Sequence, residues 1–265
     1  MLDCGRTSSL YRSFVLIVLA SVWSGSVAAQ SSGNADREAF LAGKTADCPG
    51  CDLSGVRLKR RDLSGADLTN ANLSNAVLHR AKLAGAKLDG ANLQHANLNK
   101  TDLKRASLRK ADLTGSLLYE ADLSAANLEG AILDGTRMGR ARLTQAKLAG
   151  AHIEAAVAKE ARLAGADLTG AILERTNLRG ADLQRAILTA AKMNGASFEQ
   201  SHLVGANLSQ ASAIQVDFLA ADLSRADLSN ADLRGSRLER ANMEHATTEG
   251  LKISGAILPD GRVAE

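Results

Sequence analysis

The chain has 265 residues, a formal net charge of +3 and only 3% aromatic residues. So few large rings exclude an ordinary globular core, and the small positive balance argues against a strongly acidic nucleic-acid mimic. The first predicted element is a secretory signal over residues 1–29. Arg6 and Arg12 precede the apolar run 14–20, and small residues lead to Val27-Ala28-Ala29, where cleavage is expected before Gln30. The run is short for a bilayer span. Cys4 lies upstream of it rather than at the cleavage site, against a lipoprotein signal. No later segment approaches span length, so the reading is an exported bacterial protein, periplasmic or secreted, with no integral membrane span after signal removal. Residues 30–45 form an N-terminal cap segment. Asn34 is placed to cap a short helix through residues 35–42, stopped by Gly43.

From residue 46 to residue 260 the chain repeats every five residues without interruption, as in Ala66-Asp67-Leu68-Thr69-Asn70. Every fifth residue from Leu53 to Leu258 makes 42 positions, of which 32 are Leu. A period of five fits neither a helix nor a strand. It would smear leucines around a helix or send them to alternate faces of a strand. A solenoid that turns after each unit lets every Leu point inward, so the fold class is all-β. Two residues before the Leu stands Ala in 31 of the 42 units, as a narrow core requires. Two residues after it Gly is commonest, with Asn70, Asn75 and Asn230 in the same slot, as tight turns require. An open solenoid end needs covering, and Phe40 and Leu41 are the predicted plug. Beyond the last unit only a C-terminal tail, residues 261–265, remains. Thr248 replaces a core Leu just before it, so that end is thinly covered.

Units such as Ala66-Asp67-Leu68-Thr69-Asn70 and Ala221-Asp222-Leu223-Ser224-Arg225 make the chain resemble the pentapeptide-repeat family. The resemblance implies a right-handed quadrilateral β-helix with four units per coil. It implies no single function, because such families are functionally diverse. With four units per coil, residue i stacks on residue i+20. Phe198 then meets Phe218, and Met138 lies under Ala158. Asp62–Lys82–Asp102 becomes a ladder of alternating charge. Asp67 faces Lys87, Asp122 faces Arg142, Lys147 faces Asp167, Arg162 faces Asp182, Asp217 faces Arg237 and Asp232 faces Lys252.

Cys48-Pro49-Gly50-Cys51 is the motif with the most evident chemistry. Cys48 takes a Leu slot and Cys51 an Ala slot, so both face the core, and an oxidising compartment favours a disulfide between them. A redox-active pair is the sharper alternative, but it would sit at a helix N-terminus beside a βαβ unit. Zinc would need two further ligands. The five histidines, His79, His95, His152, His202 and His245, never fall 20 residues apart and read as surface residues. No catalytic constellation, cofactor motif or metal site emerges.

Charge is uneven. Residues 56–110 carry a net +8 and residues 111–265 a net −4. Arg57, Lys59, Arg60, Arg80 and Lys100 fall on one side of the first three coils, a candidate anion-binding face. Aromatic residues do not interleave with them, which argues against nucleic acid. Leu117, Tyr119 and Val157 form an outward apolar group further along, and Ile132 and Ile172 flank His152 on another side. The leading functional reading is a non-enzymatic exported scaffold or binding surface of the cell envelope, with an unidentified envelope partner. The alternatives are a topoisomerase-protecting DNA mimic, which the resemblance brings in, and a redox protein built on Cys48 and Cys51. The resemblance also points to a weak homodimer through the C-terminal coil.

Overall fold

The computed structural model describes residues 35–265. The expected signal over 1–29, its cleavage site and the helix cap at Asn34 lie outside the described residues. Within them, each pentapeptide turns in the same way. The N–H of Ala66 donates to the carbonyl of Leu63 at 3.1 Å, closing a turn whose third residue, Gly65, has φ of 71°. That third position has positive φ in every unit from Gly50 to Gly255, yet 25 of these residues are not glycine. Glycine is therefore favoured there but not required. The slot looks outward, and a Cβ added at Gly65 would meet nothing. The cost is backbone strain of about 1 kcal/mol for each side chain held there, outweighed by the stacking that every unit completes.

The Asp or Asn before the Leu has a specific role in the turn. Asp62 Oδ1 accepts the N–H of Ser64 at 3.1 Å. The same bond recurs at Asp67, Asn72, Asn92, Asp122, Asp182 and Asp222, satisfying a turn N–H that the backbone leaves free. Where Ser107, Leu117, His152 and Ser212 take that position, the coil below supplies the acceptor. Asp89, Asn99, Asp134 and Asn194 reach up to the N–H groups of Arg109, Tyr119, Glu154 and Ile214.

Coils stack in the expected register. Leu63 N–H donates to Lys82 C=O at 2.7 Å and Lys82 N–H donates to Arg61 C=O at 2.9 Å. Parallel bridges join residue i to residue i+20 from Asp52↔Asn72 to Arg237↔Ile257. The result is a right-handed quadrilateral β-helix with four faces. Here they are numbered by their inward leucines in the first coil: Leu53, Leu58, Leu63 and Leu68. Leu and Ala ladders fill the interior, and the Phe198 and Phe218 rings stack with centroids 5.3 Å apart. Met138 does not fully occupy the space beside Ala158. A void of about 10 Å³ remains among Met138, Ala158, Leu163 and Leu178.

The charge ladders close only in part. Lys82–Asp62, Lys87–Asp67, Arg142–Asp122 and Arg237–Asp217 approach to 3.2, 3.5, 3.7 and 3.9 Å. Lys147–Asp167, Arg162–Asp182 and Asp232–Lys252 share backbone bridges without an ion pair. Asp232 turns instead to Arg234 at 2.7 Å. The carboxylates are already engaged by turn N–H groups, and exposed pairs gain little.

Helix α1, residues 35–41, covers the N-terminal end. It stops where Gly43, at φ 73°, lets Lys44 N–H reach Ala39 C=O at 2.9 Å. Phe40 is fully buried and plugs the first coil. Leu41, expected to share that role, is 40% exposed, because its neighbour on the helix already takes the inward direction. Arg61 stands in a slot that is small through the middle of the rod. At the rod's end there is room for its guanidinium over the Phe40 ring, 4.3 Å from the centroid, where it also donates to the Phe40 carbonyl. At the other end the tail folds back as an antiparallel strand. Ile257 bridges Val263, Gly255 N–H donates to Ala264 C=O at 2.8 Å, and Leu258 N–H donates to Arg262 C=O at 2.7 Å.

Candidate anion-binding face

The 20-residue register decides which cations meet. Arg57 is the outward central residue of face two in the first coil, and Lys59 and Arg60 form the turn that follows it. Arg60 N–H donates to His79 C=O at 3.1 Å, and Arg80 N–H donates to Asn99 C=O at 3.0 Å. Arg60, Arg80 and Lys100 therefore rise in one column at the corner after face two, one rung of roughly 4.8 Å per coil. The five candidates selected from sequence do come together. Burial, followed by the positive field of Arg80, Lys59, Lys100 and Arg60, pushes His79 below the ordinary imidazole value of 6.5.

Four of the five candidate cations are unpaired among the described residues. Lys100 meets Glu120 at 3.1 Å. Among the described residues, Arg57, Lys59, Arg60 and Arg80 form no ion pair. The column also carries a backbone cost. Arg60, Arg80, Lys100, Glu120, Arg140 and Glu160 hold the positive-φ slot in six successive coils. The corner after face four holds Asn70, Gly90, Lys110, Gly130, Gly150 and Gly170 in the same coils.

Directly above the cations on face two lies the apolar group. Tyr119 is 39% and Val157 40% exposed, with Leu117 half-buried beside them. The Tyr119 ring packs over Gly139, where an added Cβ would come 3.6 Å from Cδ2. Arg140 donates to the Tyr119 hydroxyl at 3.2 Å and to Glu160 at 2.8 Å. The charged turn at this corner borders a groove of about 480 Å³ lined by Glu120, Asp122, Arg140, Arg142, Glu160 and Arg162. Sequence reasoning missed that groove, although the register already placed Glu120, Arg140 and Glu160 in one column.

The other candidates are scattered. Ile132, His152 and Ile172 bridge in sequence along face one. The five histidines lie on separate rungs or faces, and no group of three metal-binding side chains occurs among the described residues. Cys48 is fully buried and Cys51 nearly so, with sulfurs at the bonding distance of 1.97 Å. No helix among the described residues is long and apolar enough to cross a membrane.

Known proteins resemble this chain along most of its length. A family model for pentapeptide repeats matches in eight copies, over stretches that together span residues 51–157 and 161–258. Among solved structures, HetL is a pentapeptide repeat protein involved in heterocyst differentiation regulation from the cyanobacterium Nostoc sp. strain PCC 7120. It is 32% identical over 86% of this chain and 97% of its own, with a TM-score of 0.68. A pentapeptide repeat protein from the Arabidopsis thaliana thylakoid lumen is 32% identical over 37% of this chain and 66% of its own, with a TM-score of 0.28. QnrB1, a plasmid-mediated fluoroquinolone resistance protein, is 17% identical over 65% of this chain and 90% of its own, with a TM-score of 0.47. No curated protein sequence matches.

Proposed function

The chain belongs to the pentapeptide-repeat family, and from that premise we propose that it is an exported, non-enzymatic rod serving as a scaffold or binding surface in the cell envelope. The observation that carries this reading is the use of the interior. Inward positions from Leu63 to Leu238 are buried in ladders, and the void beside Ala158 is no larger than one water. Chemistry is left to the outer faces, whose turns and rungs present side chains at fixed spacing. The signal-like segment 1–29 supplies the export half of the proposal. Burial of Cys48 and Cys51 supports a structural staple rather than a redox pair.

Cell fractionation of a C-terminally tagged chain tests the proposal. We expect the tag in the envelope or medium, on a product whose N-terminus is Gln30. A cytoplasmic, uncleaved chain would overturn it and favour the topoisomerase-protecting reading, which the net charge of +3 and the basic N-terminal coils otherwise oppose. We further propose weak self-association through the C-terminal coil. Met243, Leu251 and Ile253 are only half-buried there, and the N–H groups of Met243, Thr248 and Ile253 make no backbone hydrogen bond.

A further inference from the structure

We propose that face two and the corner after it bind a linear carboxylate-bearing polymer, an acidic polysaccharide, laid along the rod axis across Arg57, Arg60, Arg80 and Lys100 towards Tyr119. This rests on the binding-surface reading above and names its ligand chemistry. Charge comes first. Arg57, Lys59, Arg60 and Arg80 have no ion-pair partner among the described residues, and the nearest acid in the Arg60–Arg80–Lys100 column is Glu120, which takes Lys100. An arginine fork matches a carboxylate with two parallel hydrogen bonds. The second argument is cost. Arg60, Arg80 and Lys100 hold a backbone conformation that Gly or Asn would hold with less strain, as the corner after face four does. No other corner of the rod, among the described residues, carries cations in this slot on three successive rungs.

Pitch decides among polyanions. Backbone hydrogen bonds lock the column at roughly 4.8 Å per rung. A straight polymer with about one carboxylate per rung stays in register, whereas duplex phosphates, about 3.4 Å apart along the axis on each strand, wind around the duplex and leave a straight column within a few rungs. The strip is also narrow, made of the Arg57 rung, the Lys59 turn position and the Arg60–Arg80–Lys100 column. On the next two faces Lys82 pairs with Asp62 at 3.2 Å and Lys87 with Asp67 at 3.5 Å, so their central rungs in the first three coils offer no unpaired cation to an anionic membrane. Tyr119 continues the same line. Its ring rests on Gly139 and its hydroxyl is held by Arg140, giving a fixed amphipathic plate for a sugar ring.

Polygalacturonate binding to the purified chain, followed by calorimetry over a salt series, tests the inference. We expect the polymer to bind and its methyl-esterified form to fail. The double substitution Arg60→Gln/Arg80→Gln should weaken binding roughly tenfold and flatten the salt dependence. Gln holds the same slot at Gln145, Gln200, Gln210 and Gln215, so the fold is expected to survive, and unchanged thermal unfolding would confirm it. The control Arg185→Gln/Arg225→Gln removes equal charge from the corner after face three and should change affinity less than about twofold. Absence of polygalacturonate binding would overturn the inference, as would equal loss in both double variants. Tighter binding of single-stranded DNA, or of phosphatidylglycerol vesicles, would overturn it as well. An envelope-located chain that binds no polymer would remove this ligand and leave the scaffold reading standing.

Discussion

The two ends of the rod meet the same physical problem with different means. Each terminal coil exposes core side chains and unpaired backbone groups. At the N-terminal end, helix α1 lays Phe40 on the first coil, Arg61 clamps its ring, and Arg37 donates to the Asp52 carbonyl at 2.7 Å. The Cys48–Cys51 pair lies directly beneath this cap. At the C-terminal end a short tail covers only the 255–258 edge and leaves the other three faces open. A closed end of this kind sets where the solenoid starts. An open end leaves room for a partner.

The largest expected effect separates the ends directly. Phe40→Ala should cost about 3–5 kcal/mol, since it removes a fully buried ring and the surface on which Arg61 rests. Ile253→Ala, at a half-buried position in the last coil, should cost about 1 kcal/mol. Urea unfolding of the two variants measures both. Equal losses would mean that the ends are equally closed and the comparison is wrong.

Reduction comes next. Opening a loop as short as Cys48–Cys51 should remove about 2 kcal/mol. Hydrogen exchange should show the loss in the coil around Leu53 to Leu68 and leave the last coil unchanged. Two alkylated cysteines in unreduced, denatured protein recovered from an oxidising compartment would remove the disulfide itself.

The tail should matter less. Deleting residues 261–265 removes the hydrogen bonds of Gly255, Leu258 and Ala264, all near the surface, for a cost of about 1 kcal/mol. It also uncovers the remaining edge of the last coil. Sedimentation across a concentration series should therefore show stronger self-association in the truncated chain than in the intact one. A strictly monomeric rod in both forms would end the proposal of a dimer through this coil.

These contrasts show where sequence reading succeeds along such a chain. The Leu143 ladder position, the Phe198–Phe218 stack and the column Arg60–Arg80–Lys100 were all legible, because a strict period converts sequence spacing directly into spatial neighbourhood. Arg61 and Leu41 were not. An inward slot at the end of a solenoid has no coil beyond it, so the rule that it must be small lapses. The outward Asp residues were read as charge partners, although their first role is to accept a turn N–H, as Asp62 does from Ser64. Alternating charge was visible in one dimension, while the competing backbone donor belongs to the turn. The tail's antiparallel return left no mark either, since residues 261–265 carry no period.

Acid offers the finest test of the difference between the ends. The N-terminal cap leans on carbonyl oxygens, those of Asp52 and Phe40, which carry no titrating proton. The C-terminal return leans on a carboxylate. Asp260 accepts the Arg262 N–H at 3.1 Å and its Nε–H at 2.6 Å, and these bonds hold the carboxyl below its ordinary value of 3.8. A group whose pKa is depressed on folding contributes stability above its unfolded value and loses it as pH falls through the folded value. The tail should therefore loosen only on acidification below about pH 4. Asp52, Asp62 and Asp232 are depressed by their own turn bonds, so the first and later coils weaken together in the same window. The distinguishing signal is the order of events. Amide protection at Gly255 and Leu258 should fall before the shielding of the Phe40 ring is lost, as followed by NMR during acid titration. Simultaneous release would show that the cap, too, depends on a titrating group, with Asp52 facing Arg37 the first residue to replace.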